Sequence, residues 1–125
     1  MVARSVLIVK KTFADLLVDG KKTGEVRSRR TMKRGLVYVS ASGKGGAETV
    51  IGLVHIVDCE GPVSVERYKE LAGVHLVTPG SGFGPPDGGL PYKRTYVWHV
   101  SGAQRLDHPL PCPRKHCVTW ATFEE

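Results

Sequence analysis

The densest group of side chains capable of chemistry lies in the run G-K-K-T-G-E-V-R-S-R-R, from Gly20 to Arg30. Glu25, Arg27 and Arg29 are spaced by two, so on a strand they project from one face. A carboxylate beside guanidinium groups stays ionised, and it can accept hydrogen bonds from a nucleobase. Arginines bind phosphate or stack on a ring. The pattern therefore predicts a site for one unstacked nucleotide. The alternative is an exposed strand with a ladder of ion pairs, which stabilises little.

The side chains of this segment have distinct predicted roles. Lys22 and the arginines are expected to contact phosphate, and Glu25 is expected to read the edge of a base. Arg30, Lys33 and Arg34 are expected to form a rim that attracts a polyanion without sequence preference. The candidate nucleic-acid contacts are Gly20, Lys21, Lys22, Thr23, Glu25, Arg27, Arg29, Arg30, Lys33 and Arg34. If the protein is an enzyme, Lys22 and Glu25 are the candidate catalytic residues.

The distribution of charge supports a polyanionic partner. The 125 residues carry a formal net charge of +6, with 18 Lys and Arg against 12 Asp and Glu. Residues 1–35 hold ten of these basic side chains and three of the acidic ones, so the whole excess lies in the first part of the chain. Such an asymmetry is typical of a surface that meets nucleic acid. A solvated basic face that maintains solubility is the alternative.

A second cluster could in principle bind a metal ion. His108, Cys112, His116 and Cys117 lie within ten residues, and these are the ligands that zinc prefers. However, His116 and Cys117 are adjacent, so on a strand they would point to opposite faces. We therefore predict no metal site and no other cofactor.

Short elements are expected to position the basic segment. Arg4–Lys10 is predicted to be a buried strand because it is apolar and contains β-branched residues. A two-turn helix should follow, capped by Thr12 with Asp15 three places on, and Gly20 should end it. After Glu25–Arg29, strands are predicted at Gly35–Ser42 and Val50–Cys59. A second helix is predicted at Ser64–Ala72, with Ser64 as the N-cap and Gly73 at its end.

The last third of the chain combines a loop with two closing strands. Residues 73–91 contain six glycines and four prolines, which predicts a long irregular loop of functional interest. Phe83 in this loop and Tyr92 beside it could stack on a bound base. Strands are predicted at Arg94–Val100 and Cys117–Phe123, and the prolines at 109, 111 and 113 should keep the link irregular. The two strand tryptophans, Trp98 and Trp120, are assigned to the core rather than to a stacking platform.

These elements indicate an α+β fold: a small barrel or curled sheet of five to six mostly antiparallel strands with two short helices. The length suits one domain over residues 1–125. No apolar run is long enough to cross a bilayer. Three scattered cysteines do not form a disulfide framework, so we expect a cytoplasmic protein. The sequence does not define its oligomeric state.

The segment G-x-K-x-x-E-x-R, formed by Gly20, Lys22, Glu25 and Arg27, resembles the signature of ASCH domains, a branch of the PUA-like β-barrels. The resemblance covers nearly the whole chain except the loop at 73–91. It continues through R-G-L-V-Y-V-S-A-S, I-G-L-V-H-I-V-D-C and the aromatic Y-V-W. It implies a PUA-like barrel whose cleft is lined by the motif and binds RNA or modified nucleotides.

The resemblance also implies an enzymatic alternative. Some ASCH-like proteins are amidohydrolases that deacetylate N4-acetylcytidine with a lysine, a threonine and a glutamate. Lys22 matches their lysine, but Glu25 stands where they have the threonine, and Glu66 and Glu70 are the nearest candidates for their glutamate. Others are proposed as ribonucleases, for which this chain shows no dedicated acid–base pair. An RNA- or nucleotide-binding domain is thus the leading hypothesis. A nucleic-acid hydrolase and a domain for an acidic protein partner are the alternatives.

Overall fold

The computed structural model describes residues 3–43, 48–112 and 119–124. Within these ranges, six strands and three short helices follow one another. In order they are β1 (Ala3–Lys10), α1 (Lys11–Val18), β2 (Gly24–Arg27), β3 (Gly35–Ser42), β4 (Thr49–Glu60), α2 (Val65–Glu70), α3 (Ala72–His75), β5 (Tyr96–Pro111) and β6 (Trp120–Glu124).

All six strands belong to one curled sheet with the order β2-β5-β4-β3-β1-β6. Every neighbouring pair is antiparallel except β1 and β3, which run parallel. The parallel pair requires a crossover, which the chain makes through α1 and β2. The predicted α+β fold, with five to six mostly antiparallel strands, is confirmed.

The core lies between α1 and the concave side of the sheet. Ala14, Leu17 and Val18 on α1 are buried against strands β3 and β4. Gly52 makes this close approach possible, because a Cβ there would lie 2.6 Å from Val18 Cγ1. Trp98 is also buried in the core, as predicted.

Both helical regions depart from the prediction at one end. Thr12 does not cap α1: the N-cap is Lys10, which makes no side-chain capping bond. The first turn is stabilised instead by an ion pair of 2.5 Å between Lys11 Nζ and Asp15 Oδ2. Ser64 does cap α2, since its Oγ accepts from Arg67 N at 3.1 Å.

Gly73 does not end the second helical region; it lies inside α3. The left-handed residue that ends α3 is Leu76, with φ of 57°. The chain is held in this turn by His75, because its Nδ1 accepts a hydrogen bond from Val77 N at 2.9 Å. From Leu76 to Thr95 the chain has no helix or strand, so most of the predicted loop is irregular.

The strand ends show three further differences. β2 ends at Arg27, so Arg29 lies in the following loop and not on the strand face. β5 continues to Pro111, so the expectation of an irregular link is wrong for this part of the chain. Beyond His99, β5 pairs only with β4 among the described residues, and an edge strand tolerates proline. Residues 113–118, which include the predicted start at Cys117, lie outside the described residues.

Across the described ranges, no helix combines the length and apolar character needed to cross a bilayer.

Candidate functional site

A cavity of about 400 Å³ opens where β1, α1 and β2 meet the irregular loop after α3. Its polar end is formed by Lys22, Glu25 and Arg27. Its walls are largely apolar and aromatic, formed by Ile8, Val9, Phe13, Val26, Val77, Phe83, Pro91 and Tyr92. A small polar group beside an apolar wall is the usual composition of a ligand site.

The turn between α1 and β2 places the polar residues at the cavity. Gly20 has φ of 78°, and the amides of Lys21 and Lys22 both donate to Leu16 O at 3.0 Å. The chain therefore reverses tightly after α1. At Gly24 a Cβ would lie 2.5 Å from Val74 Cγ1, so only glycine lets α3 pack this closely on β2.

Lys22 is 1% exposed and carries its ammonium group to the cavity floor. Its Nζ donates to His75 O, lies 3.8 Å from Glu25 Oε1 and lies 4.6 Å from the centre of the Phe13 ring. A buried cation is stable only with such partners. The carbonyl of His75 lies 53 residues away in the sequence, so the lysine is positioned by the tertiary fold.

Glu25 is 5% exposed and pairs with Arg27. Its Oε2 accepts from Arg27 Nε at 2.8 Å and lies 2.6 Å from Arg27 Nη2. Arg27 Nη2 also donates to Ile8 O at 2.8 Å, which ties β2 to β1. Within the described residues Arg27 Nη1 has no hydrogen-bond partner. The cluster thus contains one carboxylate and two cations, with a net positive charge.

Burial lowers the pKa of Lys22 from 10.5 to about 8. The neighbouring Glu25 carboxylate raises this pKa and the Arg27 guanidinium lowers it, but desolvation is the largest cause. At neutral pH the amine is mainly protonated, and it loses its proton just above the physiological range. Lys22 can therefore donate a hydrogen bond to a ligand and can also exchange a proton.

His75 supports Lys22 from behind the cavity. Burial lowers the pKa of His75, and the Lys22 charge acts in the same direction. Its Nδ1 accepts from Val77 N, so its Nε2 donates to Tyr68 O at 3.0 Å. The imidazole stacks on Tyr68 with ring centres 4.1 Å apart. His75 is therefore held neutral, in the tautomer that fixes the carbonyl bound by Lys22.

The ten residues predicted to contact nucleic acid lie in different parts of the structure. Lys22, Glu25 and Arg27 line the cavity. Arg27, Arg29 and Arg30 line a neighbouring groove that also contains Trp98 and Trp120. Lys33 Nζ lies 5.0 Å from the centre of the Trp120 ring, and Arg34 lies 4.0 Å from Asp58. Gly20, Lys21 and Thr23 line neither space.

Two predicted aromatic contacts also reach the cavity, whereas other parts of it are not evident from the sequence. Phe83 and Tyr92 line it, and Phe83 meets Phe13 edge to face at 4.9 Å. The sequence pattern indicates Phe13 only as part of the apolar helix face. His75 and the Ile8 carbonyl were not predicted, because a contact made through a backbone carbonyl leaves no signal in residue type.

No cluster of three or more potential metal ligands occurs in the described part of the chain. His116 and Cys117, two members of the four-residue cluster considered above, lie outside it.

Comparison with known proteins identifies the fold family. The ASCH domain family matches residues 7–109. The crystal structure of ASCH from Zymomonas mobilis is 18% identical, with a TM-score of 0.67 over 86% of this chain and 73% of that one. Two point mutants of the same protein give TM-scores of 0.69 and 0.68 at 17% identity, over 86% of this chain and 75% and 73% of theirs. No curated protein matches.

At these identities the structural likeness shows the fold, a curled six-stranded sheet with short helices, in agreement with the predicted small barrel or curled sheet. The family match covers most of the chain and includes the whole G-x-K-x-x-E-x-R segment. The chain therefore belongs to the ASCH domain family.

Proposed function

We propose that this domain binds single-stranded RNA and holds one unstacked nucleotide in the cavity beside Lys22, Glu25 and Arg27. The observation that carries the proposal is a buried lysine and a buried carboxylate, joined by a partly exposed arginine, at the end of an aromatic cavity of about 400 Å³. A structural ion pair does not require an adjoining cavity, whereas recognition of an extruded base requires both.

The geometry supports a division of roles within the cluster. Glu25 is an acceptor for an exocyclic amine or ring N–H of the base. Lys22 is too deeply buried to meet a phosphate at the surface, so in this proposal it donates to a base oxygen instead. Arg27 keeps the phosphate role, because its Nη1 is unpaired within the described residues.

The remaining predicted contacts serve attraction and positioning. Arg29, Arg30, Lys33, Arg34 and Lys21 are exposed and supply the electrostatic part of binding. Gly20 makes the turn, and Thr23 fixes it through its backbone, since its N–H donates to Val74 O and its carbonyl accepts from Val100 N.

The proposal is tested by a matched pair of neighbouring lysines. A labelled single-stranded RNA of about ten nucleotides is titrated with wild type, Lys22→Met and Lys21→Met. Each variant loses one charge, but only Lys22 lies in the cavity. Lys22→Met is expected to lower the affinity at least about ten-fold, the scale of a lost hydrogen bond to a charged group. Lys21→Met should lower it less than about three-fold. Equal losses would contradict the cavity as the binding site.

The lowered pKa of Lys22 favours a second candidate, a hydrolase acting on a modified nucleoside or on RNA. An amine with a pKa of about 8 beside a carboxylate can transfer a proton at neutral pH. Incubation with N4-acetylcytidine and with labelled single-stranded RNA separates the two functions. Acetate release or strand cleavage that is lost in Lys22→Ala would establish the enzyme. Tight RNA binding without turnover of either substrate supports the binding domain.

A further inference from the structure

A second groove lies beside the cavity. Its volume is about 480 Å³, and it is bounded by residues 27–31 on one side and by Trp98, Thr119 and Trp120 on the other. Arg27 and Thr119 line both spaces, so the two meet at this pair. Residues 27–31 therefore extend along the groove from the point where it adjoins the cavity.

An aromatic pair forms one wall of this groove. The rings of Trp98 and Trp120 stack with centres 5.8 Å apart and planes 11° apart. Trp98 is buried, and its Nε1 donates to Arg29 O at 2.9 Å, which fixes the loop against the pair. Trp120 is only half-buried and lines the groove, and Lys33 Nζ lies 5.0 Å from the centre of its ring.

The opposite wall carries guanidinium groups with unused donors. Arg27 Nε and Nη2 are occupied by Glu25 and Ile8, but its Nη1 is unpaired within the described residues. The Arg29 side chain is exposed and has no hydrogen bond or ion pair within the same ranges. No acidic side chain lines the groove there. Basic donors interleaved with an accessible aromatic ring are the features that bind a nucleotide in a single strand.

We infer that this groove binds the nucleotide adjacent to the one in the cavity. The adjacent base packs against Trp120, and the phosphate that joins the two nucleotides lies at Arg27, where the two spaces meet. The inference rests on the proposed function and narrows it: the ligand is a single strand of at least two nucleotides, not a free nucleoside or mononucleotide.

The test compares ligands of one and two nucleotides. Each ribonucleoside monophosphate, and the homodinucleotide of the same base with a terminal phosphate, is titrated into the protein. Trp98 and Trp120 are the two tryptophans of the chain, so quenching of intrinsic fluorescence reports on the groove directly. For the preferred base, we expect the dinucleotide to bind about ten-fold or more tightly than the monophosphate and to quench more strongly.

Substitutions then show which residues cause the tighter binding of the dinucleotide. Trp120→Ala should remove the advantage of the dinucleotide and leave the affinity for the monophosphate unchanged. Because Trp120 packs on the core, Arg29→Gln is the second variant: its side chain is exposed and lines the groove, so it should weaken the dinucleotide more than the monophosphate. Lys69→Gln removes one charge from the exposed face of α2 and is the control, with no expected effect on either ligand.

Failure of the groove as a nucleotide site can be distinguished from failure of RNA binding in the cavity. If both ligands bind wild type equally and neither Trp120→Ala nor Arg29→Gln changes the dinucleotide affinity, the groove is not a nucleotide site and the cavity proposal stands. If neither ligand nor a longer single strand binds, the proposed function fails and the groove inference fails with it.

Discussion

Lys21 and Lys22 are neighbours in the sequence, yet they belong to two different regions of the molecule. Lys21 is exposed with most of the basic residues up to Arg34, whereas Lys22 is 1% exposed beside Glu25 and Arg27. The difference arises from the tight turn at Gly20 and the contact of α3 with β2, which leave room for one side chain to enter the fold. Basic composition alone therefore does not identify the site.

The two regions differ in what they can contribute to binding. In the buried cluster each charge has a fixed partner, so a ligand must match its donors and acceptors. In the exposed loop between β2 and β3, residues 28–34, the charges are surrounded by water and salt. They therefore attract any polyanion with little discrimination. We expect the buried cluster to determine selectivity and stability, and the loop to determine the salt dependence of the affinity.

The largest expected effect is on stability when the buried carboxylate is removed. Glu25→Ala leaves the Lys22 ammonium buried without its counterion, and it also removes the carboxylate that pairs with the partly exposed Arg27. Breaking a buried ion pair from one side costs about 3–5 kcal/mol in the free energy of unfolding. Urea denaturation measures this loss. The exposed Glu70→Ala should change stability by less than about 0.5 kcal/mol, and equal effects would contradict the contrast between the two regions.

The pH dependence of stability is the next largest effect. The unfolded chain releases the Lys22 proton near pH 10.5 and the folded chain near pH 8. Between these values the unfolded state binds more protons, so the contribution of Lys22 to stability rises as the pH increases. Urea denaturation at several pH values should show this rise in wild type relative to Lys22→Met. Parallel pH profiles for the two proteins would indicate that the buried amine is not desolvated.

Removal of one aromatic side chain from the cavity wall should lower the affinity for RNA without lowering the stability of the fold. Phe83 is 43% exposed and lines the cavity. Loss of stacking on a base costs about 1–3 kcal/mol, so Phe83→Ala should reduce the affinity for single-stranded RNA about ten-fold. The control is Val57→Ala, because Val57 is also an exposed apolar residue but lies on β4, outside the cavity. This variant should leave the affinity unchanged. An unchanged affinity in Phe83→Ala would show that the loop does not contact the base.

The smallest effect is expected in the exposed loop. Double replacement of Arg30 and Arg34 by Gln should change the free energy of unfolding by less than about 1 kcal/mol, since both are exposed. It should reduce the slope of log affinity against log salt by about 0.7 for each phosphate that the protein no longer neutralises. Titrations between about 50 and 200 mM salt measure that slope. A slope equal to that of wild type would show that these two arginines do not neutralise phosphates of the bound RNA.

Much of the fold could be predicted from local sequence signals. The strands predicted at Gly35–Ser42 and Val50–Cys59 are confirmed as β3 and β4. Ser64 was recognised as an N-cap from its residue type and spacing. The cluster of glycines and prolines correctly indicated the loop after α3. In each case the physical cause lies within a few residues of the feature that it produces.

The features that were not predicted depend on distant contacts. The parallel pairing of β1 with β3 depends on the crossover between them. The length of β5 depends on β4, which holds it as an edge strand beyond His99. Likewise, Lys22 and Glu25 belong to the motif, but their burial depends on His75 from α3 and on the loop that carries Phe83. These partners lie far along the chain, beyond the reach of spacing rules.

Mapped photo-crosslinking tests the central claim, that a base occupies the cavity beside Lys22. A single 4-thiouridine is placed at each position in turn of a short single-stranded RNA, and the crosslinked residue is identified by mass spectrometry after digestion. At one position the crosslink should fall on Phe13, Phe83 or Tyr92, which line the cavity. Crosslinks confined at every position to the exposed residues from Arg29 to Arg34 would contradict the account.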